Sequence, residues 1–121
     1  MNDRFKIGYI GAGSFRFSLG LFSDIARAVE LSPMDVWLVD VDAKSLKIMT
    51  KILTHMSKKA NKRNGIDFKV FSTTDRTQAL ENADFVYKSI SVGIQEAEWF
   101  DNYLPIKFGI PQNTGDTCGP G

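Results

Sequence analysis

The sequence predicts an α/β fold: a Rossmann-like, doubly wound parallel sheet that is expected to stop short of a catalytic domain. Three observations predict it. Short apolar runs alternate with amphipathic helical stretches, the pattern of parallel strands joined by right-handed crossovers. A glycine-rich turn, Gly11-Ala12-Gly13-Ser14, lies between the first run and the first helix. Asp40 closes the second run, 27 positions beyond Gly13.

The first strand is Phe5 to Ile10. Gly11 permits a tight turn, and Gly13 lets the backbone approach a phosphate with no Cβ in the way. A helix opening near Ser14 points unpaired N–H groups and its positive dipole end at that anion. Phe17, Leu21 and Ile25 recur at helical spacing, with Phe22 and Val29 beside them, and are expected to form one buried stripe. Leu31-Ser32-Pro33 ends this helix and leads to the second strand, Val36-Trp37-Leu38-Val39. Asp42 suits the N-cap of a second helix with Leu46, Met49, Leu53 and Met56 on its apolar face, stopped at Asn64-Gly65.

A third strand is expected near Phe68 to Phe71, then a short helix around Arg76 to Asn82 capped by Thr74 or Asp75. Phe85-Val86-Tyr87 gives a fourth strand that runs into Ser89-Ile90-Ser91-Val92-Gly93. Ile94 to Phe108 is helical in pattern, and Pro105 must kink or end it. Ligands of such sheets bind beyond the carboxyl ends of the strands. Gly11, Asp40 and the Ser89–Gly93 loop all fall at that edge.

These features point to a dinucleotide site. The strict pattern of three glycines fails, because Arg16 stands at the third position and is expected to hold the helix away from the strand. A carboxylate at Asp40 can accept the ribose hydroxyls and would repel a 2′-phosphate, which favours NAD over NADP.

Composition narrows the alternatives. The chain has 121 residues, enough for one domain, 1–121, with a modest core. Hydrophobic residues make up 43% and charged residues 24%, as in water-soluble globular proteins. A net charge of +1 gives no electrostatic reason to invoke nucleic acid, and no apolar run approaches the ~20 residues that span a bilayer. The one cysteine cannot form an internal disulfide, and Asp3 precedes the first strand directly, unlike a secretion signal. A cytoplasmic protein is the expectation. The basic run Lys58-Lys59-Ala60-Asn61-Lys62-Arg63 closes a helix, where cations suit the negative dipole end. The final glycine-rich polar stretch, Gln112 to Gly121, suggests the front part of a longer protein.

On particular stretches the chain resembles the N-terminal, NAD-binding part of the family 4 glycoside hydrolases. They are Ile10-Gly11-Ala12-Gly13-Ser14-x-x-Phe17, Leu38-Val39-Asp40-Val41-Asp42, and Thr73-Thr74-Asp75-Arg76-x-x-Ala79-Leu80-Glu81-x-Ala83-Asp84-Phe85-Val86. Leu104-Pro105-Ile106-Lys107-Phe108-Gly109-Ile110 and Gly115-Asp116-Thr117-Cys118-Gly119-Pro120-Gly121 complete the match. The resemblance runs the length of the chain, its last motif is the most specific, and the family does not require the third glycine.

The resemblance implies a glycosidase that stands outside the two-carboxylate scheme. Bound NAD takes a hydride from C3 of the sugar, the C2 proton is removed, the aglycone is eliminated, water adds and the hydride returns. A divalent metal, usually manganese, assists as a Lewis acid. It implies that Gly11, Gly13, Ser14 and Arg16 line the pyrophosphate, Asp40 the ribose, and Ser91 and Gly93 the nicotinamide ribose. Asp116 and Thr117 match an acid-threonine pair placed near nicotinamide and sugar.

The family's metal-binding cysteine and histidine, and its tyrosine base, belong farther along the chain. His55, Cys118, Tyr9, Tyr87 and Tyr103 do not match them, so this chain alone is expected to be inactive. Ser91-Val92-Gly93 and Asp116-Thr117 replace the Arg-Val-Gly and Glu-Thr of members acting on 6-phosphorylated sugars, which leans toward unphosphorylated α-glycosides. Lys88 and Lys107 could still supply charge. The implied partners are a small-molecule glycoside and further copies of the protein, with neither nucleic acid nor membrane. Two other readings stand beside it: a lactate- or malate-type dehydrogenase domain, and a non-catalytic nucleotide-binding module.

Overall fold

Four strands and four helices alternate along residues 4–111, the residues that the computed structural model describes. Strand β1 is Phe5–Ile10, helix α1 Phe15–Ile25, β2 Met34–Val39, α2 Ala43–Asn64, β3 Phe68–Thr73, α3 Arg76–Leu80, β4 Phe85–Lys88 and α4 Ile94–Lys107. A 3-10 turn, Val29–Leu31, links α1 to β2. The sheet order is β3-β2-β1-β4, and every pairing is parallel. The chain divides after Ile90 into two compact units, the second of which contains α4.

The pleat of β1 sorts the first unit into two layers. Ile7 and Tyr9 join Val36, Leu38 and Phe68 in a core that Phe22 and Ile25 of α1 and Leu46, Met49 and Leu53 of α2 complete. The rings of Phe22 and Phe68 stack at 5.6 Å, and Tyr87 meets Tyr9 edge-on at 4.9 Å. Gly8 faces the other way. A Cβ there would lie 3.2 Å from the Ala79 carbonyl oxygen and from Leu80, so α3 covers the opposite face closely at that point. On that face Trp37 stacks on Phe71 at 4.9 Å, with the Lys6 ammonium 4.7 Å from the Trp37 ring centre.

Local chemistry sets the helix ends. Asp42 caps α2 by accepting the Lys44 N–H at 2.9 Å, and Gly65 closes it in the left-handed conformation (φ 68°). Asp75, not Thr74, caps α3, accepting the Thr77 N–H at 2.8 Å. The expected α2 face is the one that packs, extended by Ser57 and Ala60. In α1 the buried stripe is rotated by one residue. Ser18, Phe22 and Ile25 point inward, while Phe17 is 59% exposed and Val29 lies beyond the helix in the 3-10 turn. Periodicity fixes the spacing of a stripe but leaves its phase to the packing, and here a serine takes the inner place.

In the second unit α4 runs on past Pro105 only as far as Lys107, so the proline stands close to the end it was expected to mark. It sits in the last turn, which closes through Phe108 N–H to the Pro105 carbonyl at 2.9 Å and Gly109 N–H to the Ile106 carbonyl at 3.0 Å.

Candidate functional site

The site is built where β1 ends. The N–H groups of Gly11 and Ala12 both donate to the Val39 carbonyl, at 2.8 and 3.0 Å, which bends the chain sharply across the end of β2. Gly11 has φ 88°, and a Cβ on it would lie 1.9 Å from the Ser89 carbonyl oxygen. Only glycine fits, for two independent reasons. The close approach comes from the chain leaving β4, whose Ser89 N–H donates to the Ile10 carbonyl at 2.9 Å.

Asp40 stands beside this turn, half-buried. One carboxylate oxygen accepts the Gly13 N–H at 2.7 Å and the other accepts the Asp42 N–H at 2.9 Å. A Cβ on Gly13 would sit 2.7 Å from the Asp40 oxygen and 3.1 Å from the Ser45 Cβ. The missing side chain at Gly13 therefore makes room for the acid. Each carboxylate oxygen keeps a second acceptor direction beyond the bond it already receives.

Helix α1 opens directly behind the turn. Ser14 is its N-cap but makes no side-chain capping bond, and the first turn carries no acidic residue. The N–H groups of that turn are left to face an anion. Arg16 is exposed, so the expected obstruction at the third glycine position does not arise. The helix meets the strand through Ser18 instead. Its Oγ lies 3.0 Å from the Tyr9 hydroxyl and 3.1 Å from the Ala12 carbonyl oxygen, and all three residues are fully buried. Burial raises the Tyr9 pKa above its ordinary value, offset in part by bonds to Ser18 and Ser89. Sequence reading placed the loop from Ser89 at this edge but missed Tyr9 and Ser18, because no spacing rule brings a strand tyrosine and a helix serine to one turn.

The structure thus brings together Gly11, Gly13, Ser14 and Asp40, with Arg16 exposed on the first turn of α1. Ser91 and Gly93 belong to the second unit, where Gly93 (φ 76°) is the N-cap of α4 and its Cβ position lies 2.6 Å from the Ala97 Cβ. Asp116, Thr117 and Cys118 lie outside the described residues. His55 is exposed on α2. Among the described residues no three His, Cys, Asp or Glu gather into a metal-binding group, and no helix is long and apolar enough to cross a membrane.

Comparison with known proteins identifies this arrangement. The model of the family described as "Family 4 glycosyl hydrolase" matches residues 6–121. The chain belongs to that family. As a family 4 member it is 37% identical to an α-galactosidase of Rhizobium meliloti, over 97% of this chain and 23% of that protein. It is 38% identical to an α-galacturonidase of Thermoanaerobacter italicus, over 96% of this chain and 24% of that protein. A solved 6-phospho-α-glucosidase from gut microorganisms, in complex with NAD and Mn2+, shares the fold with a TM-score of 0.72 at 20% identity. That match covers 96% of this chain and 25% of the other. This family 4 chain spans about a quarter of the length of the curated relatives it matches. Family membership displaces the lactate- or malate-type alternative.

Proposed function

We propose that this chain supplies the NAD site of a family 4 glycosidase, with residues 1–121 acting as its N-terminal, cofactor-binding part. The observation that carries the reading is the bond between the Gly13 N–H and Asp40 at the carboxyl edge of a parallel sheet. It sets a ribose acceptor against a glycine turn that leads into a helix N-terminus. Glycine at both turn positions supports the fit, since a Cβ at Gly11 would meet the Ser89 carbonyl and one at Gly13 the Asp40 carboxylate, and either would displace the turn.

In this reading the first-turn N–H groups, with Gly11, Gly13, Ser14 and Arg16, hold the pyrophosphate. Asp40 holds the ribose hydroxyls through its remaining acceptor directions, and Ser91 and Gly93 lie along the nicotinamide ribose. Asp116 and Thr117, outside the described residues, are assigned to the nicotinamide and sugar end on the resemblance of their motif. NAD supplies reversible hydride exchange with the sugar. A manganese ion in the whole enzyme draws on ligands other than the described residues. The small-molecule substrate is an unphosphorylated α-glycoside, supported by Ser91 in place of an arginine. The compartment is the cytoplasm.

Calorimetry tests the cofactor reading. The wild-type chain binds NAD, and Asp40→Ala weakens binding about tenfold, with NADP gaining relative to NAD because the repulsion of a 2′-phosphate is gone. Unchanged NAD affinity in Asp40→Ala would remove the ribose assignment.

The protein also self-associates in this reading. Trp99, Phe100, Leu104, Ile106 and Phe108 of the second unit are exposed large apolar side chains, more than a lone surface residue accounts for. Sedimentation of Trp99→Lys should show a smaller average mass than wild type, and equal masses would reject this surface as the contact.

A further inference from the structure

We infer that Ser18 and Tyr9 are positioning residues that hold the glycine turn in its ligand-ready shape from beneath; the inference rests on the NAD reading of that turn. Ser18 has one hydroxyl proton and two neighbours within bonding distance, the Tyr9 hydroxyl at 3.0 Å and the Ala12 carbonyl at 3.1 Å. The carbonyl can only accept, so Ser18 donates to Ala12 and accepts from the Tyr9 O–H. The chain of bonds runs in one direction, from strand β1 through helix α1 to the middle of the turn. All three members are fully buried, where water cannot substitute for a lost partner.

The consequence lies in the Ala12–Gly13 peptide. Its carbonyl is fixed downward by Ser18, so its N–H, the Gly13 donor, is fixed upward toward Asp40 and the ligand side. A peptide is planar, so holding one end aims the other. The serine thus does for aim what the strict dinucleotide motif does with a third glycine for closeness. The residue at that third position, Arg16, is free to face solvent. No glycine count in the sequence reports this arrangement, because it depends on the one-residue rotation of α1.

The test compares NAD with adenosine, which lacks the diphosphate that the first-turn amides of α1, directly behind the turn, would hold. Ser18→Ala should lower NAD affinity about tenfold and adenosine affinity less than threefold. Tyr9→Phe keeps the Ser18–Ala12 bond and the ring packing, so it should lower NAD affinity about threefold with adenosine unchanged. Tyr9→Phe carries the test alone if Ser18→Ala does not fold. Equal losses for both ligands would mean a merely structural role and overturn the inference, as would NAD affinity within error of wild type. Wild type that binds no NAD would instead bring down the cofactor reading together with it.

Discussion

Helix α2, in the first unit, has one buried face, a side-chain cap at its start and a left-handed glycine at its end. Helix α4, in the second, has no side-chain cap, a proline in its last turn and no single apolar stripe. Its large apolar residues, Trp99, Phe100, Leu104 and Ile106, are exposed, whereas Leu46, Met49 and Leu53 of α2 are buried. Within itself, Trp99 stacks on Tyr103 at 4.5 Å, and Lys107 lies over that tyrosine at 4.8 Å. The difference separates two sources of helix stability. An amphipathic helix gains most of its stability by burying one stripe, while a helix apolar over much of its circumference needs cover on several sides.

The two units respond differently to equivalent changes. The largest expected effect is at two positive-φ glycines, Gly11 in the turn before α1 and Gly93 at the N-cap of α4. Gly11→Ala should cost about 4 kcal/mol, because a positive φ combines with a Cβ driven into the Ser89 backbone. Gly93→Ala should cost about 2 kcal/mol, since its Cβ meets only the Ala97 methyl of the same helix. Urea unfolding measures both, and equal losses would erase the distinction between a turn clamped by another strand and one clamped by its own helix.

Next come the leucines. Leu53 is 0% exposed, and Leu53→Ala should cost about 3 kcal/mol. Leu104 is 52% exposed, and Leu104→Ala should cost less than about 1 kcal/mol. A Leu104→Ala loss matching that of Leu53→Ala would place α4 in a packed core and break the comparison.

The smallest effect concerns caps and pH. The Ser45 hydroxyl, 2.5 Å away, and the Lys44 N–H hold the Asp42 carboxyl below its ordinary pKa, and Arg4 does the same for Asp67. Both folded values lie below the unfolded ones. Their contribution is therefore present above the ordinary carboxylate range and is lost as pH falls through that range to the depressed values. Asp42→Ala should lower Tm by about 2–5 °C at pH 7 and flatten the acid side of the stability curve. An unaltered acid limb in this variant would mean that the cap contributes nothing through its charge.

Much of the first unit was legible because its signals are local. A capping acid such as Asp42, a stop such as Gly65 and the face Leu46-Met49-Leu53 each depend on residues within one element. The turn at Gly11 and the acid at Asp40 were legible as a spacing. Phase and partner were not: Phe17 was expected in the core and is exposed, while Ser18, outside the expected stripe, is buried. Arg16 looked like an obstacle and faces solvent.

By itself the sequence determined the order of strands and helices, the parallel sheet and the glycine turn ending at an acid. Periodicity, capping chemistry and glycine's conformational range act over a few residues, and such rules are written in a linear chain. Tertiary structure alone decided that Asp40 bonds the Gly13 N–H, that Ser89 crosses over Gly11, and that Tyr9 reaches the turn through Ser18. Those contacts join residues on separate elements, and only the packing of helix on sheet sets which side chain arrives at which atom.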